Sequence, residues 1–344
     1  MTVRRPVVRM GLLVAVSTIV LVAPRRTAAQ LTPGTCTASP ATLAGVPVGG
    51  DACTKARDLF AFVSPQVGVA LSGGNPLLGE GGTLGGWPKR AVSVRLTAVD
   101  GQLPRGTVPI ALGNAATTTF STSRTPVPVP VIDLGIGLIK GVPLGITNVG
   151  GVDVLLSGTY LPTVERNGLS LAPSASNLAL GYGVRVGALQ ESALIPGVSI
   201  SYQRRKLPTV SMGFATGNDT LSVNNVTVTS NALRVVASKR FLMFGVAAGL
   251  GRDAIDATAG VQGIVNESVA NTPQRAVVVL DGMQNQVTRS TAFVNASFSL
   301  LILRVVAEYG VSSAGAAPVV TNRFGNRTPN EGYRFGSVGI TMRF

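Results

Sequence analysis

Ser337-Val338-Gly339-Ile340-Thr341-Met342-Arg343-Phe344 is the stretch whose reading decides the fold. With a period of two, Val338, Ile340, Met342 and Phe344 share one face, and Ser337, Gly339, Thr341 and Arg343 share the other. Successive side chains of an extended strand point to opposite faces of a sheet. The octet therefore specifies a strand that is apolar on one side, polar on the other, and ends on an aromatic ring.

The alternation repeats upstream. Residues 303–312 set Leu303, Val305, Ala307, Tyr309 and Val311 against Arg304, Glu308 and Ser312. Residues 291–300 set Ala292, Val294, Ala296, Phe298 and Leu300 against Thr291, Asn295, Ser297 and Ser299. The apolar parity changes between these runs. A two-residue turn at Leu301-Ile302 explains the change, and so does a β-bulge, because the Asn/Gly chemistry of tight turns is missing there. Both readings stay open on sequence alone. Leu242 to Leu250 gives another stripe, followed by an irregularity at Gly251-Arg252 and the opposite parity at Ile255, Ala257, Ala259 and Val261. Ser238-Lys239-Arg240-Phe241 reads as a tight turn before that stripe. Shorter alternations lie near 233–237, 198–203, 180–188, 152–160, 132–138 and 92–98, and Val67, Val69 and Leu71 suggest one more. These make about twelve segments (ten to fourteen), each near the ~9–11 residues that a tilted strand needs to cross a bilayer. Connections 189–197, 238–241 and 301–302 are short, whereas 206–222, 262–288 and 313–331 are long and polar. Alternating short and long connections fit an up-and-down meander.

Composition narrows the function classes. Arg4, Arg5 and Arg9 precede an apolar run from Met10 to Ala23, and Thr27-Ala28-Ala29 supplies small residues before Gln30, the pattern of a cleaved signal peptide over residues 1–29. Its five arginines, taken from 29 basic residues, leave 24 against 15 acidic ones. The surplus is dispersed, with Arg204-Arg205-Lys206 its one tight cluster, and aromatic content is 5%. A nucleic-acid footprint needs clustered charge with interleaved aromatics, so no nucleic-acid partner is expected. The chain contains no histidine, which removes Ser-His-Asp, Cys-His and His-ligated zinc chemistry. No enzyme activity, cofactor or metal is expected. Asp253 and Asp256, three apart on a strand, fall on opposite faces and make no carboxylate dyad. Cys36 and Cys53 are expected to form one disulfide in an exported chain.

The pattern over residues 66–344 resembles the bacterial outer-membrane β-barrel class, through its terminal strand with Phe344, Met342, Ile340 and Val338 in alternation. The resemblance implies an all-β, transmembrane antiparallel up-and-down β-barrel in the bacterial outer membrane, with Phe344, Met342 and Ile340 as the signal read by the barrel-assembly machinery. Expected partners are outer-membrane lipid and lipopolysaccharide. Aromatic residues look too few to form interfacial belts. Residues 30–65, with Lys55 to Phe62 as a short helix, are expected to form either a periplasmic extension or a plug entering the lumen. The Gly-rich run 73–86 reads as a flexible loop lacking the P-loop pattern. Within it, Asn75-Pro76 is faintly similar to the Asn-Pro of the N-terminal hatch in FadL-type transporters of hydrophobic solutes, and a Gly/Pro loop explains it equally well. Pro126-Val127-Pro128-Val129-Pro130 reads as extended chain entering a strand at an edge or terminus.

The polar parity carries the candidate lumen-facing residues Arg95, Asp133, Asp153, Arg185, Arg234, Arg304, Glu308 and Arg343. Two uses are open. They can fill a narrow barrel with salt bridges, or line a path for small or amphipathic solutes. The expected function is accordingly a passive channel or transporter. The alternative is a non-conducting structural or adhesive barrel that displays its loops.

Overall fold

The computed structural model describes residues 30–344 except 33, 105–109, 125, 167–168, 217–218, 270, 317 and 330. The expected signal peptide lies outside the described residues.

Ten antiparallel strands form a closed ring: β1 (Arg90–Val99), β2 (Val127–Ile139), β3 (Gly151–Tyr160), β4 (Leu178–Leu189), β5 (Gly197–Lys206), β6 (Asp219–Phe241), β7 (Phe244–Val269), β8 (Thr272–Leu300), β9 (Leu303–Ser312) and β10 (Tyr333–Arg343). Each pairs with its sequence neighbour, and β10 pairs with β1 from Phe335↔Val99 to Arg343↔Ala91. The backbones of Arg90 and Phe344 exchange two hydrogen bonds, at 3.1 and 2.9 Å, which seal the seam. The terminal octet thus closes the ring on the first strand rather than standing at an edge.

Short turns gather at one end of the barrel. Leu300 pairs with Leu303 across Leu301-Ile302, and Leu301 takes a left-handed φ of 53°, so the parity change is a two-residue turn and not a bulge. Phe241 pairs with Phe244 across Leu242-Met243, with Leu242 at φ 54°. The turn expected at 238–241 therefore lies at 242–243, and those four residues belong to β6. The long connections expected at 206–222 and 262–288 are largely strand. Only 313–332 remains a long loop in sequence and in structure, with one two-residue strand inside it.

β6, β7 and β8, at 23, 26 and 29 residues, outrun any membrane-crossing strand. Pairing on both sides of β7 is unbroken from Phe244 to Thr258, so Gly251-Arg252 is no irregularity. What reverses there is the environment. Phe244, Val246, Ala248 and Leu250 face outward, whereas Ile255, Ala257, Ala259 and Val261 are buried within. The apolar face changes sides where the strand leaves an apolar exterior and begins to cover an apolar interior. Beyond that level β6–β8 continue as a sheet, widened on one side by residues 30–32 and 35–39 against β8. On the other side, residues 210–216, 169–173 and 164–166 add to β6 in that order.

The exterior below this level is an apolar belt with two aromatic rims. Tyr160, Tyr182, Tyr202 and Tyr309 face outward toward the loop end, and Phe241, Phe244, Phe298 and Phe344 face outward at the turn end. Aromatics are sparse in the sequence yet concentrated where a bilayer interface would favour them. Ala296, flanked by Val246 and Ala307 at mid-belt, provides a test. Ala296→Arg should cost about 2–4 kcal/mol in urea unfolding from lipid vesicles, and Ser290→Arg, nearer the loop end on the same face, about 0–1 kcal/mol. Equal costs at the two positions would contradict the belt.

Pro128 and Pro130 sit in β2 where it pairs only with β1, since pairing to β3 begins at Val131. Their missing N–H groups therefore face no partner strand.

The ring encloses one helix, α1 (Gly50–Ser72), and the segment 73–84 that follows it. The helix extends far beyond the expected 55–62 and absorbs Val67, Val69 and Leu71, which were expected as a strand. The barrel proper begins at Arg90, not at 66. Eighteen residues of α1 are buried, with small Ala52, Ala56, Ala61, Gly68 and Ala70 among its side chains. A helix is ~10–12 Å across with ordinary side chains, so a ten-stranded ring admits one only if much of its surface is small. A Cβ on Gly68 would stand 2.4 Å from Ile255 Cγ2. Val or Leu there would push the helix off β7.

Candidate functional site in the barrel lumen

The lumen has an apolar half and a polar half. At the loop end, α1 packs its Leu59, Phe60, Phe62 and Val69 against Ile255, Val261, Val278 and Leu280 of the long strands. Phe62 stacks on Phe324 with centroids 4.2 Å apart, so loop 313–332 reaches down onto the helix. Two helix acids hold the surrounding loops. Asp58 accepts hydrogen bonds from the Thr321 and Asn322 amides at 2.7 and 2.8 Å and from Asn322 Nδ2 at 2.9 Å. Asp51 pairs with Lys55 and accepts the amides of Ala111 and Ala116. From the wall, Arg289 donates to the carbonyls of Ser313, Pro329 and Glu331 and lies 4.8 Å from the Tyr333 ring centroid. Cys36 and Cys53 are joined, which ties the strand at 35–39 to the first turn of α1.

Below the helix the interior turns polar, and here the sequence-derived candidates meet. α1 has no basic residue in its last turn, and wall arginines supply the positive charge that its carbonyl end favours. Arg205 Nη1 donates to Ser72 O at 2.5 Å and Nη2 to Pro76 O at 3.2 Å. Arg234 donates to Gly74 O at 3.0 Å and Gly73 O at 2.9 Å, and Arg95 to Asn75 O at 2.7 Å. The partner acids complete the clamp. Asp253 pairs with Arg234 at 2.6 Å, and Asp133 pairs with Arg205 at 2.9 Å. Arg95 Nε lies 3.2 Å from the other oxygen of Asp133, an ion-pair contact without hydrogen-bond alignment. Glu308 accepts the amides of Gly74 and Asn75 at 3.1 and 2.8 Å.

Toward the turn end the clamp continues. Asp153 accepts the Leu84 amide and pairs with Arg185 at 2.7 Å. Arg304 and Arg343 both turn to Glu80 of the inner segment, at 2.6 and 3.3 Å. Arg343 is partly exposed at the rim, whereas the other seven candidates are buried. The run expected as a flexible loop is thus packed over 73–84, its backbone held by wall side chains. Asn75, of the Asn-Pro pair, is fully buried within it. Its glycines have a local reason: a Cβ on Gly74 would stand 2.7 Å from both the Glu308 carboxyl and the Phe293 ring.

Several site residues are absent from the sequence-derived set. Arg205 follows Ser199, Ser201 and Gln203 on the inward parity of β5, so extending the alternation by one step finds it. Asp253 is inward by the parity of Leu250, once β7 is known to run through. Glu80, Asp51 and Asp58 lie on the inner element, for which strand parity gives no signal.

No protein-family model matches the chain, and no curated protein matches it. Among solved structures, the chain is similar to the translocator domain of autotransporter NalP from Neisseria meningitidis: 13% identity, TM-score 0.32, 74% of this chain and 88% of that one. It is also similar to the outer membrane protease OmpT from Escherichia coli, at 8% identity and TM-score 0.35 over 74% and 96% of the two chains. A FadL homologue from Pseudomonas aeruginosa follows at 8% identity and TM-score 0.22, over 74% and 90%. These are likenesses of fold alone. From its strand pairing and its apolar exterior, the chain is an outer-membrane β-barrel, ten strands closed around an internal helix.

Proposed function

We propose that this protein is a plugged outer-membrane barrel that holds a loop-end sheet outside the cell, the non-conducting alternative of the two that the sequence left open. One observation carries this: α1 and residues 73–84 fill the lumen, and side chains from six wall strands (Arg95, Asp153, Arg205, Arg234, Glu308 and Thr341 among them) grip their backbone. The turn end then faces the periplasm, as barrels with short periplasmic turns require. β6–β8 carry the sheet and the N-terminal strands outward.

The passive-channel reading keeps one specific support. The segment 73–84 is held mainly by polar contacts, and it contains Gly73, Gly74, Gly79, Gly81 and Gly82. Such a segment can leave the wall by giving up these contacts and the burial of Leu77, Leu78 and Leu84, while the larger apolar core around α1 stays packed. Recording from refolded protein in planar bilayers separates the two readings. The display reading expects no steady conductance across a range of salt and voltage. A stable single-channel current from the wild-type protein would overturn it in favour of a solute path.

A further inference from the structure

We propose that the free edge of the loop-end sheet joins two copies of this protein across opposed membranes, by antiparallel pairing of strand Thr35–Ser39 with its own equivalent. The strand pairs with β8 alone, from Thr35↔Asp281 to Ser39↔Val277. Its other side forms no backbone hydrogen bond among the described residues. Thr35, Cys36, Thr37 and Ser39 are exposed, and the chain that follows folds inward, with Leu43 buried in the core. An unpaired strand edge is a template for another strand, and folded proteins usually blunt it with charge, proline or a bulge. Thr35-Cys36-Thr37-Ala38-Ser39 carries none of these.

The side chains of the edge favour a second copy as its occupant. Thr35, Thr37 and Ser39 share the outer face of the sheet, while Cys36 on the inner face is bonded to Cys53 of α1. Paired with itself about Thr37, the strand sets Thr37 against Thr37 and Thr35 against Ser39. Hydroxyl groups then meet hydroxyl groups, a favourable cross-strand pairing, and no charge opposes its like. The disulfide already holds the strand in place, so pairing carries little added cost of ordering.

Symmetry fixes the arrangement. Two identical strands close an isologous pair only when antiparallel, about a two-fold axis normal to the sheet. That axis reverses the direction of every strand, so the second barrel points the opposite way. Two such barrels cannot share a membrane, but they fit two membranes that face each other. With the loop end outside, which rests on the proposed function, these are the membranes of neighbouring cells. The strand stands high enough for this: Thr37 is level with Val279 of β8, whereas Val294 of β8 pairs with Tyr309 of the upper aromatic rim. The stretch of β8 between Val279 and Val294 rises roughly 40 Å, at ~3.3 Å per residue and a tilt of about 40°. A single five-residue contact is weak, and arrays of copies on two surfaces strengthen it through multivalency.

The test uses the full refolded chain in phosphatidylcholine vesicles, with heat-modifiable gel mobility as a control for the intact barrel. Wild-type vesicles should cluster, read as a rise in turbidity. Thr37→Lys with Ser39→Lys sets like charges against each other across the edge and should slow clustering about tenfold or more. Thr37→Glu with Ser39→Glu should do the same. Both positions pair with valines of β8, Val279 and Val277, so neither set of charges meets a charged partner within its own sheet. Mixing the Lys vesicles with the Glu vesicles should restore clustering, which damaged folds would not do. Wild-type vesicles that stay dispersed, Lys vesicles that cluster as fast as wild type, or a mixture that stays dispersed would each overturn the proposal. Cells that carry the protein should clump in the same pattern. Clustering of vesicles without clumping of cells would count against the loop end being outside and leave the pairing standing. Conductance is not read in this experiment, so its outcome stands apart from that of the plugged lumen.

Discussion

If the lumen is plugged as proposed, replacing Arg205 and Arg234 with methionine, together with Asp253→Asn, should make the barrel conduct. The two guanidinium groups donate four hydrogen bonds to the carbonyls of Ser72, Gly73, Gly74 and Pro76. Hydrogen bonds to charged groups contribute about 1.5–3 kcal/mol each, so the clamp loses several kcal/mol. Asp253→Asn avoids leaving a buried carboxylate without its arginine, which by itself can cost about 3–5 kcal/mol and confuse plug release with misfolding. Asp133 keeps its contact with Arg95. Every 1.4 kcal/mol lost raises the open fraction about tenfold, so even half of the expected loss gives on the order of a hundredfold more ion flux. The apolar packing of α1 stays, which confines release to the turn-end half. The measurement is bilayer conductance beside circular dichroism of the same sample. An intact β spectrum with unchanged silence would mean that these arginines do not keep the lumen closed.

How much was legible in the sequence follows from the same contrast of environments. β9 could be read residue by residue, because each face meets a different medium and parity encodes which. The terminal strand was legible for the same reason, and so were the inward positions of Arg304 and Glu308. α1 was not. A helix enclosed on all sides has little contrast between its faces, and Val67, Val69 and Leu71 imitate a strand by chance spacing. Gly251-Arg252 misled in a more instructive way. A single strand passed from a greasy exterior to a greasy interior, and the resulting parity switch imitated a break in the chain. The lumenal network was half visible, since strand parity finds the wall but not its counterpart. Glu80 gives its two arginines a reason to be there, and no periodic pattern marks it. Sparse aromatics read as missing belts, because composition counts residues without placing them.

Asp58→Ala should open loop 313–332 to protease while leaving the barrel standing. Asp58 is fully buried and accepts from the Thr321 and Asn322 amides and from Asn322 Nδ2. Truncation leaves these three loop donors without an acceptor, at about 1–3 kcal/mol each where they stay buried, and also frees Arg57, which pairs with Asp58 but is partly exposed and can turn to water. The loop can avoid that penalty by lifting into water. Its departure also parts Phe324 from Phe62 and Phe120, a further reason for the loop to move as a unit. Arg289 still holds Ser313, Pro329 and Glu331, so the opening is confined to the middle of the loop, where Arg323 and Arg327 offer trypsin sites. A local stability loss of about 3 kcal/mol corresponds to roughly a hundredfold faster cleavage when opening precedes cutting. Asp58→Asn keeps one side-chain oxygen and should fall between. The outcome also bears on orientation, because trypsin added outside intact cells reaches this loop only if the loop end is external. Cleavage of the variant in lysed but not intact cells would place that end in the periplasm, and wild-type rates throughout would mean that Asp58 is not the latch.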